Sequence, residues 1–360
     1  MAVPLFASSL EPHHDALAER IAAVVRSGRY ILGPEVSAFE EEYAAYLGVR
    51  HCIGVANGTD ALTIALRALG VSPGDEVVCP SFTFYATAEA IANAGARPVF
   101  CDVDPATACV SAATVEPAMT ERTRAIVPVH LFGGLAPVEE LRSFGVPVLE
   151  DAAQAAGASA GDAGRAGALG DASTFSFFPS KNLPCLGDGG AIATDSDDVA
   201  ATARKLRFHG SADKQTFEEV GYNSRLDEVQ AAVLRVLLRE LDGWNEARRA
   251  VAAAYERHGL REVPGLRTLD GGPGAVHHLY VALHEHADEL AQALAERGVQ
   301  SRGYYRQPVH RQPAMTEFAH GAELPVTDDL ARTNLALPMG PELTDGQVAE
   351  VVEALREAAR

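Results

Sequence analysis

No stretch of this chain stays apolar for the roughly 18 residues that a membrane-spanning helix needs, although hydrophobic residues make up 47% of the composition. The N-terminus, MAVPLFASSLEPHHD, lacks the basic start of a secretory signal peptide. The expectation is a soluble, cytoplasmic protein. No Cys-x-x-Cys pair occurs among the five cysteines, Cys52, Cys79, Cys101, Cys109 and Cys185, most of which fall in apolar, strand-like runs. That pattern points to reduced core thiols and away from disulfides or a metal centre. The adjacent His277 and His278 have neither the ligand spacing nor the carboxylate partners of a metal site. Positive charge is scarce as well: 30 Lys and Arg stand against 49 Asp and Glu, a net charge of −19. With no local basic patch, such a chain repels a phosphate backbone, so nucleic acid is not expected as a partner. A small anion held by backbone donors and a few arginines stays compatible with that charge. Internal repeats, low-complexity segments and disordered linkers are missing too.

What is present is an alternation. From about residue 50, short apolar runs trade places with helix-like segments: HCIGVAN with DALTIALRALG, DEVVCP with YATAEAIANAG, RPVFCDV with SAATVEPAM, RAIVPVH with PVEELRSFG, then PVLEDA. This is the pattern of an α/β fold, a mostly parallel sheet with helices on both faces, whose ligands sit beyond the carboxyl ends of the strands. ASTFSFF and GGAIATD follow without a full helix between them, so an antiparallel edge is expected. Residues 14–48 read as two amphipathic helices around a turn at Gly33 and Pro34. The long periodic stretch RLDEVQAAVLRVLLRELDGWNEARRAVAAAYERHGL reads as two helices joined near Gly243. The chain length suits two packed units: a large domain over 1–240, including the N-terminal helices, and a linker helix with a smaller α/β domain over 241–360.

Three stretches place polar groups just after strand-like runs. In ANGTDAL, Gly58 permits a tight turn, and Thr59 and Asp60 open a helix whose free N–H groups and dipole suit a phosphate; an ordinary helix cap would look the same. In VLEDAAQ, Asp151 ends a buried strand, with Gln154 three residues on. A carboxylate there either caps a helix or meets something cationic, such as a protonated ring nitrogen. In TFSFFPSKNLPCLGDGGAIATD, Ser176 precedes Lys181 by five residues. Lys181 is either a solvated loop charge or a buried amine able to form a Schiff base with an aldehyde. Taken together, an anion cradle, a buried carboxylate and a lysine are what pyridoxal 5′-phosphate requires for its phosphate, its ring nitrogen and its aldehyde.

These stretches, in order with GRYILGPEVSAFEEEYAAYLGVRHCIGVANGTDAL, GDEVVCPSFTFYATAEAI, VPVHLFG, GYNSRLDEVQAAVL and ALPMGPELTD, resemble the DegT/DnrJ/EryC1/StrS aminotransferases over most of the chain. The resemblance implies the fold type I architecture of pyridoxal phosphate enzymes and amino transfer from L-glutamate to a nucleotide-linked keto-sugar. The look is closest to deoxysugar 3-aminotransferases, enzymes of antibiotic and surface-glycan sugar biosynthesis. It implies Lys181 as the Schiff-base lysine and proton carrier, and Asp151 as partner of the pyridine nitrogen. Gly58, Thr59, Asp60 and Ser176 would surround the phosphate, Phe84 would cover one ring face, and Gln154 would lie beside the ring. Asn223, of GYNSRL, would reach the phosphate of a neighbouring subunit's cofactor, which implies a homodimer with shared sites. GYYRQPVH departs from the family's usual His-Tyr-Pro and Pro-Leu-His at the place where the resemblance implies substrate contacts, so that Tyr304, Tyr305 and His310 are either sugar contacts or two half-buried tyrosines and a polar loop histidine. The alternatives are a cyclitol or other carbocyclic ketone as acceptor, or a non-catalytic, cofactor-binding regulator. Lys181 argues against the dehydratases of the family, which carry histidine there.

Overall fold

The computed structural model describes residues 2–319 and 321–359. Seven strands build its central sheet: β1 (His51–Val55), β2 (Glu76–Pro80), β3 (Arg97–Cys101), β4 (Thr123–Ile126), β5 (Leu149–Asp151), β6 (Ala172–Ser176) and β7 (Gly190–Thr194). Two ladders, β1-β7-β6-β5 and β3-β2-β4, are joined by parallel bridges from Ile126 to Val148 and from Val129 to Asp151. Crossover segments return the chain to the same end of the sheet, so β1 to β6 run parallel.

The antiparallel strand is not at the edge, as the sequence suggested; β7 lies between β6 and β1 and runs opposite to both. No helix separates it from β6, so the chain must reverse. All five of its residues are buried, and a run buried on both faces takes partners on both sides. The junction after residue 225 also differs from expectation. Helix Glu228–Leu237 meets helix Leu241–Arg257 through a 3-10 turn at Leu238–Glu240, while Gly243 sits inside the second helix. There it occupies the first turn, with open space around it, where backbone N–H groups lack helical partners in any case.

Helices close the sheet on both faces. The helix Gly58–Ala68 buries Ala61, Leu62, Ile64, Ala65 and Leu66 against a core that includes Ile53, Leu149 and Ile192. On the other face, helix Pro34–Leu47 buries Phe39 and Tyr43. The Tyr43 ring meets Phe175 edge-on at 5.1 Å. The turn at Gly33 is held by the buried Glu228, whose carboxylate accepts N–H groups from Gly33 (2.8 Å), Glu35 (3.0 Å) and Val36 (2.9 Å). A Cβ on Gly33 would stand 2.7 Å from Glu228 Oε2.

The C-terminal unit carries β8 (Arg267–Thr268), β9 (Tyr280–Leu283) and β10 (Asn334–Leu337), antiparallel in the order β10-β9-β8. Its core also takes in Tyr255 of the long helix and Val3 and Ala7 from the N-terminus. Val3 pairs with Val299 and Phe6 with Met339. All five cysteines are free and buried. Among the described residues no helix is long and apolar enough to cross a membrane.

Candidate active site

The segments leaving the carboxyl ends of β1, β2, β5 and β6 converge, with residues 302–312 of the C-terminal unit, on a cavity of about 910 Å³. At its floor Asn57 caps the helix Gly58–Ala68: its Oδ1 accepts the Asp60 N–H at 2.8 Å. The N–H groups of Gly58 and Thr59 belong to the turn that no helical carbonyl can serve, and they point with the positive end of the helix dipole. β6 crosses close above. A Cβ on Gly58 would lie 2.8 Å from Ser176 Cβ and 3.3 Å from its Cα, so glycine is needed here for close approach. Ser176 lines the same corner.

Asp151, the last residue of β5, is buried. Its Oδ2 accepts from Thr87 Oγ1 at 2.9 Å and its Oδ1 from the Ala153 N–H at 3.2 Å. Burial still pushes its pKa up, against those two bonds and the positive charge of Lys181. A cation brought to this carboxylate would relieve the desolvation. Lys181, in the loop between β6 and β7, is half-buried because one side faces the cavity. Burial brings its pKa down to about 8 against the opposing pull of Asp151. Lys181 is thus partly withdrawn from solvent, unlike a fully solvated loop lysine.

His278 lines the cavity near Lys181, and its tautomer is set from a distance. Asn245 Nδ2 donates to the Ala156 carbonyl at 2.9 Å, which leaves Asn245 Oδ1 to accept from Asn182 Nδ2 at 2.9 Å. Asn182 Nδ2 also donates to the Val276 carbonyl at 3.0 Å. Asn182 Oδ1 therefore faces His278 Nδ1, at 3.3 Å, and can only accept. The imidazole donates from Nδ1 and keeps a lone pair on Nε2. Burial, then the charges of Lys181 and Arg248, hold it well below the usual histidine range and neutral.

Gln154 is buried between two partners: its Oε1 accepts the Phe132 N–H at 2.8 Å, and its Nε2 donates to Tyr305 OH at 3.1 Å. Tyr304 and Tyr305 stand in the wall, and the exposed Phe84 lies 6.1 Å from the Tyr305 ring. Of the residues singled out in the sequence, Gly58, Thr59, Phe84, Asp151, Gln154, Ser176, Lys181, Tyr304 and Tyr305 line one cavity. Asp60, Asn223 and His310 do not. Asp60 lies in the first turn behind Thr59. Asn223 is exposed and bridges to Phe208. His310 is buried behind the wall, with Nδ1 at 2.6 Å from Ser81 Oγ and its own N–H donating to that oxygen at 3.0 Å. Thr87, Asn57 and His278 are additions the sequence reading missed. Asn57 carried a signal, an Asn three residues before a helical Asp; Thr87 and His278 become visible only once strands from distant parts of the chain are side by side.

The cradle at Gly58 and Ser176, a buried carboxylate to which no Lys or Arg is bonded among the described residues, and an amine brought toward neutrality fit the phosphate, ring nitrogen and aldehyde of pyridoxal 5′-phosphate. A profile of the DegT/DnrJ/EryC1/StrS aminotransferase family matches residues 13–356. A pleiotropic regulatory protein of Geobacillus stearothermophilus is 46% identical, over 94% of this chain and 92% of its own. A dTDP-3-amino-3,4,6-trideoxy-alpha-D-glucose transaminase of Streptomyces venezuelae is 44% identical, over 94% of this chain and 91% of its own. The crystal structure of S. venezuelae DesV superposes with a TM-score of 0.95 at 42% identity, covering 99% of this chain and 98% of that one. The chain thus belongs to the DegT/DnrJ/EryC1/StrS aminotransferase family, whose cofactor is pyridoxal 5′-phosphate.

Proposed function

We propose that this aminotransferase takes its amino group from L-glutamate and delivers it to a keto group of a nucleotide-linked deoxysugar, working as a cytoplasmic homodimer. The observation that carries the reading is Lys181: a cavity-facing amine with a pKa near 8, in one cavity with Asp151 and the helix that begins at Gly58. The sugar transaminase of S. venezuelae favours a nucleotide sugar over a cyclitol. A regulator that never turns over would need neither the amine nor the buried acid, and both are costly to withdraw from water.

The residues divide the work. When bound, the cofactor supplies an electron sink beside the amine-bearing carbon. Asp151 would pair with the ring nitrogen and favour its protonated form. Lys181 Nζ would hold the cofactor's aldehyde and, as an amine with a pKa of about 8, could accept the proton of the substrate's reacting carbon and return it. The Gly58 and Thr59 N–H groups and the Ser176 hydroxyl would hold the phosphate, with Asp60 behind them. Phe84 would cover one ring face and Gln154 would flank the ring. Asn223, outside its own chain's cavity, is assigned to the phosphate of the partner copy's cofactor.

The test compares the parent with Lys181→Ala and Lys181→Arg. The parent should show a visible absorbance band that bleaches on adding L-glutamate; both variants should lose that band and all turnover while keeping the parent's circular dichroism. Turnover at the parent rate in either variant would overturn the reading. Arginine should fail as alanine does, because a guanidinium stays protonated and cannot replace the amine.

A further inference from the structure

Among the described residues, the lysine and arginine side chains that line the cavity are Lys181, Arg302 and Arg306. Lys181 is assigned to the cofactor. Arg306 is occupied, since its Nη1 donates to the carbonyls of Ala331 (3.0 Å) and Arg332 (2.9 Å) and its Nη2 to Asp288 Oδ1 (2.6 Å). Arg302 differs. Among the described residues no carboxylate lies within 4.0 Å of its guanidinium, which is held over the Tyr304 ring, 5.2 Å from the centroid. Its backbone is fixed to β10 by two hydrogen bonds, Arg302 N–H to the Ala336 carbonyl (3.2 Å) and Ala336 N–H to the Arg302 carbonyl (2.8 Å). The side chain is exposed, but its base is rigid and its stacking partner belongs to the cavity wall.

A row of contacts connects Arg302 with Gln154: Gln154 bonds Tyr305 OH at 3.1 Å, the Tyr305 and Tyr304 rings are 5.6 Å apart, and the Arg302 guanidinium rests on Tyr304. The α-carboxylate of glutamate is bonded to its reacting carbon and belongs at the floor. In a nucleotide sugar, the hexose stands between the reacting carbon and the diphosphate, which places the diphosphate away from the amine and toward the exposed end of the cavity wall, where Arg302 lies. The acids in the wall are Asp151 and Asp188, and the chain carries −19. A diphosphate entering here needs a local cation, and Arg302 is the basic side chain in the wall that is not already engaged.

We propose that Arg302 clamps the diphosphate of the acceptor, forming a second anion subsite at the cavity mouth, distinct from the phosphate cradle at Gly58. Stacking on Tyr304 holds the guanidinium plane ready for two parallel N–H···O bonds to phosphate oxygens. The proposal rests on the nucleotide-sugar reading.

The test is equilibrium binding to the holoenzyme by calorimetry, with thymidine diphosphate and uncharged thymidine as probes. Arg302→Gln should weaken thymidine diphosphate about tenfold to a hundredfold and leave thymidine nearly unaffected, while Arg302→Lys recovers part of the loss. The L-glutamate concentration needed to bleach the visible band should move far less than the diphosphate affinity. Equal affinity of parent and Arg302→Gln for thymidine diphosphate would overturn the clamp. An equal loss for both probes would mark a packing defect and overturn it too, and a larger effect on the glutamate response would reassign the arginine to the donor. Should the parent bleach with glutamate yet bind neither thymidine diphosphate nor uridine diphosphate, the nucleotide-sugar reading itself falls, and the clamp with it.

Discussion

Thr87 Oγ1 donates to Asp151 Oδ2 at 2.9 Å, linking the helix after β2 to the last residue of β5. The bond favours the charged form of a carboxylate whose pKa burial has pushed up. Asp151→Asn keeps the volume and removes the charge. It should cost about 10² to 10³ in turnover, the usual size of a lost preorganised electrostatic partner, with a much smaller loss of cofactor affinity. Thr87→Val removes a bond to a charged group, worth about 1.5–3 kcal/mol, and should lower turnover about tenfold or more. Steady-state rates alongside cofactor titration check both. Parent-like turnover in Asp151→Asn would remove the acid from the mechanism.

The cradle can be tested by crowding it. In Gly58→Ala the new Cβ meets Ser176 Cβ at 2.8 Å and Cα at 3.3 Å, and β6 is a buried strand that cannot easily retreat. Overpacking of this kind costs about 1–3 kcal/mol, and cofactor affinity should fall with stability. Ser176→Gly removes the nearer clash, so the double variant should regain part of the melting temperature lost by Gly58→Ala. An undiminished penalty in the Ser176→Gly background would mean the contact is not its cause.

Much of this site could be read from the chain because its parts are local. Strand followed by helix, glycine at a helix start, an acid at a strand end and a lysine between apolar runs are all statements about near neighbours, and Gly58, Asp151 and Lys181 were found that way. What could not be read was adjacency. β7 carries a reversal signal, but nothing in Gly190–Thr194 says that β1 will cover its far side. The break at Leu238–Glu240 shows no Gly or Pro, whereas Gly243, the obvious punctuation, sits within helix Leu241–Arg257. His310 looks like a polar loop residue until Ser81, 229 positions away, buries it. The tautomer of His278 depends on the carbonyls of Ala156 and Val276 acting through two asparagines, a chain of contacts with no sequence spacing of its own.

The Lys181 amine should titrate early. With a pKa of about 8 in place of about 10.4, its free-base fraction rises as pH rises through 8. In cofactor-free protein, an amine-directed reagent should modify Lys181 at a rate that climbs through pH 8 and then levels off, while exposed lysines keep gaining toward pH 10. Asp151 pulls the value up, so Asp151→Asn should move the midpoint lower still. Peptide mapping of the modified protein reads both. A midpoint in the ordinary lysine range would show that the cavity does not desolvate the amine.

Assembly gives the strongest test of Asn223, which is exposed and does not line its own chain's cavity. If it completes the partner's phosphate site, Asn223→Ala alone should be clearly impaired. Mixing Asn223→Ala with Lys181→Ala and letting subunits exchange should then restore activity. In a mixed dimer, the site built around intact Lys181 receives its asparagine from the Lys181→Ala chain and is whole, while the other site lacks both groups. About half of the dimers in an equal, randomly exchanged mixture are mixed, each with one whole site, so activity should approach about a quarter of the parent's per chain, well above the level of either variant alone. If the asparagine served its own chain instead, the mixed dimer would hold one site without the lysine and one without the asparagine, and mixing would add nothing. Light scattering on the active parent closes the argument, since a fully active monomer would leave no partner for Asn223 to serve.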